Sequence, residues 1–186
     1  MNWERALGIH TEGEDESRAD RFHSPHQPTD YRVLERLAGS GLIGRDDLLI
    51  DYGSGLGRVG IFLSHVTRCR SLGVEYDERL YARALRNAAG HPRTAFALER
   101  AERFTVPPDA NRFYFFNPFP EMILSQVLRR IGESLEKAPR EVRLLAYFPV
   151  DGYARTLGAC FHEQGEIDCR DLFGGHDERE RILIFE

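Results

Sequence analysis

The alternation of apolar and polar residues predicts strands and helices in turn along most of the chain. A first helix begins near Tyr31, and a short apolar run at 48–52 then ends at glycines. The residues after those glycines continue as an apolar helix. A second strand is predicted at 71–75, and Asp77 is a good N-cap for the amphipathic helix that follows it. This order of elements indicates an α/β protein.

The second half of the chain continues the alternation and ends in two strands with no helix between them. The remaining strands are predicted at residues 94–98, 112–116, 142–148, 163–171 and 181–185. The strand at 112–116 stops before Pro118, because proline has no N–H group to donate to a strand ladder. Helices are predicted after Pro120 and at 153–160, and the first of them has apolar residues at helical spacing throughout.

These elements predict an α/β fold with a Rossmann-like sheet of seven strands, mostly parallel, with helices on both faces and a C-terminal antiparallel pair. In such sheets ligands bind beyond the carboxyl ends of the strands, close to the point where the strand order reverses. Asp51, the glycines after it, Glu75 and Asn117 all lie at the end of a predicted strand. They therefore mark the predicted ligand site.

The chain is predicted to consist of an N-terminal arm and one domain. Residues 1–28 show no sustained period and are predicted as a flexible arm or lid, whereas residues 29–186 are predicted as a single domain. His23 and His26 have a spacing that suits a metal, but nearby prolines disfavour a helix and no third ligand is evident. A solvated loop is the favoured interpretation there, and no metal site is predicted.

Composition narrows the choice of partners and compartment. The net charge is −5 and the basic side chains are scattered, so the sequence shows no strong electrostatic footprint for nucleic acid or an anionic membrane. The cysteines lie far outside any C-x-x-C spacing, which favours a reducing, cytoplasmic setting over a disulfide framework or a zinc knuckle. The acidic N-terminal region and the lack of a long apolar run predict a chain that is neither exported nor membrane-spanning.

The stretch DYGSGLGRVG carries the pattern G-x-G-x-x-G at Gly55, Gly57 and Gly60. Alone this pattern is weak evidence for a nucleotide site, since glycines also mark ordinary tight turns. Asp51 discriminates between ligands, because a carboxylate at the end of the strand would repel a dinucleotide pyrophosphate and favour a cationic group. S-adenosylmethionine, which carries an ammonium and a sulfonium but no phosphate, is such a ligand.

At these residues the chain resembles the class I S-adenosylmethionine-dependent methyltransferases. LLIDYGSGLGR is similar to their first motif and LGVEYD to the motif that follows it, and the resemblance covers roughly residues 30–186. It implies that S-adenosylmethionine is the cofactor. The residues to which it assigns cofactor contacts are Asp51, Gly53, Ser54, Gly55, Gly57, Glu75, Tyr76, Ala101, Glu102 and Asn117.

The resemblance also implies a role for the main contacts. Backbone at the glycines would pass close to the methionine part of the cofactor, and Ser54 would line this loop. Asp51 would order the ammonium group, Glu75 would accept hydrogen bonds from both ribose hydroxyls, and Tyr76 would lie against the adenine. In the turn after the third strand Arg100 stands where the family often has an acid. The contact to the adenine amino group would therefore come from the Ala101 backbone and from Glu102.

The stretch FFNPFP at 115–120 is the candidate acceptor site. Some family members that methylate planar nitrogen have a polar residue, two prolines and an aromatic residue here. By resemblance, Asn117 and Pro118 would accept hydrogens from the target amino group and Phe119 would stack on its plane. This chain lacks the second proline before the aromatic residue. The alternative is that Asn117 and Pro118 only end a buried strand and Pro120 only starts a helix.

The resulting prediction is an S-adenosylmethionine-dependent methyltransferase with an unidentified acceptor, for which a nitrogen is one candidate atom. The loops after the fourth and fifth strands are short, aromatic and weakly charged, which favours a small molecule or a protein over nucleic acid. No residue stands out as a general base. An NAD-dependent oxidoreductase and a non-catalytic S-adenosylmethionine-binding module remain the alternatives.

Overall fold

The computed structural model of the chain describes residues 1–12, 28–150 and 152–186. Its strands are β1 Leu48–Tyr52, β2 Arg70–Glu75, β3 Thr94–Leu98, β4 Arg112–Phe115, β5 Arg143–Tyr147, β6 Glu163–Asp168 and β7 Arg181–Phe185. The α-helices of the described residues are α1 Trp3–Leu7, α2 Tyr31–Gly39, α3 Arg58–Thr67, α4 Glu78–Asn87, α5 Glu121–Lys137 and α6 Tyr153–Gly158.

All seven strands belong to one sheet, in the order β3-β2-β1-β4-β5-β7-β6. Neighbouring strands are parallel except at β7, which runs antiparallel to both β5 and β6. The strand order reverses at β1, where Tyr52 lies opposite Val74 of β2 and Phe115 of β4. The residues that follow β1, β2 and β4 therefore meet at one edge of the sheet, where this architecture binds ligands.

Hydrophobic cores cover both faces of the sheet. Leu48, Ile50 and Tyr52 of β1 pack with α5 and α6, and we call this side the α5 face. Leu49 packs with α1, α2 and α3 on the opposite side, which we call the α3 face. Because side chains alternate along a strand, Asp51 belongs to the α3 face. Tyr114, its register partner on β4, lies in the same core.

The predicted fold class is confirmed: the sheet has seven strands, is mostly parallel and ends in the antiparallel pair β6 and β7. The bounds of β1, β3 and β7 coincide with the predicted ones. Among the strands the largest difference is at β6, which ends at Asp168 and is followed by a 3₁₀ turn at Arg170–Phe173. The turn ends at Gly174, whose φ of 83° suits glycine, and this short irregular stretch has no helical period to detect.

The N-terminal residues also differ from the predicted loose arm. Trp3–Leu7 forms α1, and Leu7 and Ile9 are buried on the α3 face. A helix of five residues is too short to show a period, and it is held by contacts with distant residues, such as the edge-on packing of Trp3 on Phe62. His23 and His26 lie outside the described residues, where the arm or lid stays a prediction.

Within residues 1–12, 28–150 and 152–186, no helix has the length and apolarity needed to cross a bilayer. The same residues contain no group of three or more histidine, cysteine, aspartate or glutamate side chains that could bind a metal ion.

Candidate functional site

The loop between β1 and α3, residues 53–57, folds back over the end of β2. Its three glycines, Gly53, Gly55 and Gly57, have φ angles of 74°, 53° and 88°, which residues other than glycine rarely adopt. The backbone N–H groups of Gly53 and Ser54 donate to the carbonyl of Val74 at 2.9 and 3.2 Å. These bonds fix the glycine loop against β2.

Close packing also leaves no room for a side chain at two of these glycines. A Cβ atom at Gly57 would lie 2.5 Å from Cζ of Phe96 on β3, and one at Gly53 would lie 2.5 Å from Cβ of Pro118 after β4. Both separations are far shorter than van der Waals contact. The glycine loop is therefore enclosed by β3 on one side and by the end of β4 on the other, and the structure brings Gly53 and Pro118 together.

Glu75, at the carboxyl end of β2, is only 4% exposed and binds the glycine loop directly. Its Oε2 accepts a hydrogen bond from Gly55 N, and its Oε1 accepts from Tyr76 N and Asp77 N, each at 2.9 Å. Burial raises the pKa of Glu75 in spite of these donors, which act in the opposite direction. Each carboxylate oxygen can accept two hydrogen bonds, so Oε2 has room for a further donor.

Asp51 lies on the neighbouring strand and has no such support. It is 3% exposed, and its Oδ2 has no hydrogen-bond partner among the described residues. Burial, together with the negative charge of Glu75, raises the pKa of Asp51 to about 7. A buried carboxylate without a partner is unfavourable. This arrangement suits a cation or hydrogen-bond donor supplied by a bound molecule.

Two more polar groups within residues 52–54 are buried without partners in the described part of the chain. They are Oγ of Ser54, in the glycine loop, and the hydroxyl of Tyr52. Tyr52 lies on the α5 face, where its ring stacks on Phe115 with centroids 5.2 Å apart. Nothing in the sequence pattern distinguished Tyr52 from an ordinary strand residue. Its burial beside the glycine loop is visible only in the fold.

Comparison with known proteins assigns the fold. No family model matches the chain, and no curated protein matches it. An RNA methyltransferase from Salinibacter ruber in complex with S-adenosyl-L-homocysteine is 18% identical, with a TM-score of 0.58 over 85% of this chain and 92% of its own. A TehB-like SAM-dependent methyltransferase from Corynebacterium glutamicum is 16% identical, with a TM-score of 0.60 over 82% and 86%.

The N-methyltransferase NodS from Bradyrhizobium japonicum is also similar, at 12% identity with a TM-score of 0.60 over 83% of this chain and 91% of its own. The chain has the class I S-adenosylmethionine-dependent methyltransferase fold. In this methyltransferase fold, the glycine loop, Asp51 and Glu75 occupy the edge of the sheet where the strand order reverses.

The turn after β3 completes this side of the methyltransferase fold. Glu99 N donates to the carbonyl of Glu75 at 3.0 Å, so the turn begins next to the β2 carboxylate. Ala101 is half-buried against the core, and Glu102 forms an ion pair with Arg100 at 2.8 Å. Tyr76 is half-buried directly after Glu75. The structure therefore brings the residues predicted to contact ribose and adenine to adjacent strand ends.

The residues after β4 contact other parts of the protein instead of facing an open acceptor site. Asn117 has a φ of 42° and uses its side-chain amide to donate to the carbonyl of Phe148, after β5. Phe119 is 6% exposed and packs edge-on against Tyr52 and Phe115. A buried ring does not suit stacking on an acceptor. The acceptor roles of Asn117, Pro118 and Phe119 stay predictions, and Pro120 forms the N-cap of α5.

Proposed function

We propose that this protein binds S-adenosylmethionine beyond the ends of β1 and β2 and transfers its methyl group to an acceptor. The observation that carries the proposal is Asp51, a buried carboxylate whose Oδ2 has no partner in the described chain. The ammonium group of S-adenosylmethionine would supply that partner. The cofactor complex of the Salinibacter methyltransferase, which has the same fold, supports this choice of ligand.

The other residues of the site suit the rest of this molecule. Oε2 of Glu75 has acceptor capacity left for a ribose hydroxyl, and Ser54 Oγ is buried without a partner in the glycine loop. Gly53, Gly55 and Gly57 add no side chains to the loop, so the backbone at these positions would lie close to the methionine part. Tyr76 and the turn with Ala101 and Glu102 would lie along the adenine.

Methyl transfer depends more on how the two reactants are positioned than on acid or base side chains. S-adenosylmethionine supplies an activated methyl group: the sulfur–methyl bond breaks as the bond to the acceptor atom forms, and the acceptor proton passes to water. The protein would hold both reactants in line and exclude water, which together supply up to about 7–11 kcal/mol of such a barrier. No described side chain is assigned as a base.

We propose a small molecule or a protein side chain as the acceptor, with nitrogen as one candidate atom. The surface next to Asn117 is apolar, with Phe116 and Phe148 half-buried and their ring centroids 6.2 Å apart. Val150, whose N–H donates to Oδ1 of Asn117 at 3.4 Å, is 38% exposed. The guanidinium of Arg179 lies over the Phe148 ring, 4.4 Å from its centroid, and forms an ion pair with Asp177. Nucleic-acid binding requires several basic side chains for the phosphate backbone, so this surface favours the other acceptors.

A non-catalytic binding module is the second candidate function. It is favoured by the burial of Phe119 and by the use of the Asn117 amide to bind the loop after β5. An NAD-dependent oxidoreductase is disfavoured, because its pyrophosphate would lie beside the buried carboxylate of Asp51.

Isothermal titration with S-adenosylhomocysteine and, separately, with NAD⁺ tests the cofactor. We expect binding of the first and none of the second, and the absence of S-adenosylhomocysteine binding would refute the proposal. Transfer of a tritiated methyl group from S-adenosylmethionine to a panel of amines, peptides and RNA then separates an enzyme from a binding module. A protein that binds the cofactor and labels nothing in the panel supports the module.

A further inference from the structure

Residues 2–11, which we call the N-terminal strap, lie against the glycine loop at two points. The first is Asn87, at the end of α4, whose Nδ2 donates to the carbonyl of Leu56 at 2.9 Å and to that of His10 at 3.3 Å. His10 N donates back to Oδ1 of Asn87 at 3.2 Å. One amide side chain therefore joins the strap to the backbone of the glycine loop.

The second point is Arg58, the first residue of α3 and the one that follows Gly57. Its side chain is 9% exposed, and all of its donor nitrogens are used. Nε donates to Thr11 Oγ1 at 2.7 Å, Nη1 to the carbonyl of Thr29 at 3.0 Å and Nη2 to Glu4 at 3.3 Å. The guanidinium also lies over the ring of Tyr31, 4.5 Å from its centroid.

Glu4 completes this arrangement from the strap side. Its carboxylate accepts hydrogen bonds from Thr11 N at 2.7 Å and from the Tyr31 hydroxyl at 2.6 Å, in addition to the ion pair with Arg58. Both charges are nearly buried, so each depends on the other and on these neutral donors and acceptors. A pair of this kind fixes geometry more than it adds stability.

The same network reaches the strand that borders Asp51. The Thr29 hydroxyl lies 3.1 Å from the hydroxyl of Tyr114, and Tyr114 is the register partner of Asp51 on β4. The negative charge of Asp51 is one of the influences that raise the pKa of Tyr114, after its burial. Arg58 is therefore linked through Thr29 to Tyr114, beside Asp51, as well as to the strap.

We propose that Arg58 and the N-terminal strap position the glycine loop for cofactor binding, and this rests on the proposed function above. His10 is linked through Asn87 to Leu56 on one side of Gly57, and Thr11 accepts a hydrogen bond from Arg58 on the other side. The loop backbone is mostly glycine and has little stiffness of its own. Contacts from outside must therefore select the conformation in which Gly55 N faces Glu75.

The test compares variants that loosen this network with a matched control at the other end of the sheet. The variants are Arg58→Lys, Glu4→Gln and Asn87→Ala. The control is Arg140→Lys, since Arg140 also donates from all its nitrogens, to Ala110, Ala138 and Ser134, but lies before β5. Affinity for S-adenosylhomocysteine is measured by calorimetry, and exchange of the amide hydrogens of residues 53–57 is measured without ligand.

We expect Arg58→Lys to weaken binding about tenfold and Asn87→Ala several-fold, and both to speed exchange at residues 53–57. Arg140→Lys should change the affinity less than about twofold at a similar loss of melting temperature. If Arg58→Lys fails to fold, Glu4→Gln and Asn87→Ala decide the outcome.

Variants that melt earlier but keep wild-type affinity and wild-type exchange would overturn the positioning role and leave the cofactor assignment intact. A wild-type protein that does not bind S-adenosylhomocysteine would instead overturn the proposed function and, with it, the inferred role in cofactor binding. The two failures are therefore distinguishable in one set of measurements.

Discussion

Asp51 should make the protein without ligand less stable as the pH rises, and Asp51→Asn should remove that dependence. The carboxyl group is buried on the α3 face, its Oδ2 has no partner among the described residues, and its pKa is raised from 3.8 to about 7. A raised carboxyl pKa means that the folded state binds the proton more tightly than the unfolded state does. The folded state therefore loses stability as the pH passes from about 4 to 7, and this loss is complete above that range.

The size of the effect follows from the two pKa values. Each pH unit between them is worth about 1.4 kcal/mol, so the full destabilisation at pH 8 is about 4 kcal/mol. Between pH 5 and pH 8 the same two values give a change of about 2–3 kcal/mol. For a domain of this size that corresponds to a shift in melting temperature of roughly 5–10 °C.

Thermal melts of the wild type and of Asp51→Asn at pH 5, 6, 7 and 8 measure this directly. The new amide adds its own buried polar group, but that contribution does not change with pH. The informative quantity is therefore how the difference in melting temperature between the two proteins changes from pH 5 to pH 8. Asp46→Asn is the matched control, because Asp46 is exposed near the other end of β1. We expect the control to shift the melting temperature equally at every pH.

A bound ligand should oppose the loss of stability that the wild type shows at high pH. An ammonium next to the carboxylate favours its charged form, so S-adenosylhomocysteine should stabilise the wild type more at pH 8 than at pH 5. Asp51→Asn should bind it about tenfold more weakly at pH 8. A gap between wild type and Asp51→Asn that stays constant from pH 5 to pH 8 would refute the argument that this carboxylate is buried without a partner.

Three further substitutions test the surrounding site. Glu75→Gln should weaken S-adenosylhomocysteine binding at least about tenfold by calorimetry, since the amide replaces a carboxylate that also binds the glycine loop. Gly57→Ala should cost about 1–3 kcal/mol more in chemical denaturation than Gly41→Ala, because both have positive φ but only Gly57 faces Phe96. Asn117→Ala should cost about 1–2 kcal/mol in chemical denaturation, because the Asn117 amide donates to the carbonyl of Phe148, and an unchanged stability would contradict that hydrogen bond.

The elements that the sequence predicted correctly are those whose causes are local. β1 is a continuous apolar run that ends at glycines, and its predicted bounds match the structure. Asp77 is the N-cap of α4, with its side chain accepting from Arg79 N and Leu80 N. The proximity of Gly55 and Glu75 also followed from the sequence, because parallel strands bring their carboxyl ends together.

The elements that the sequence missed depend on contacts between distant residues. The sequence did not single out Arg58, whose partners Glu4, Thr11 and Thr29 lie 29 to 54 positions away. The amide of Asn117, whose acceptor role stays a prediction, binds a carbonyl 31 positions further on. No local period or motif encodes such pairings, since they exist only when the strands are assembled.

Asp51 and Glu75 lie at the ends of adjacent strands, but their carboxylates differ in the hydrogen bonds that they accept. Glu75 has three backbone donors, so its carboxylate is already part of the folded loop and its removal would disturb the loop itself. Asp51 has no comparable partner for Oδ2, so its charge is costly until a ligand arrives. A bound ammonium would relieve that cost only in the folded protein, which links cofactor binding to stability. Glu75 therefore shapes the site, whereas Asp51 makes its occupation favourable.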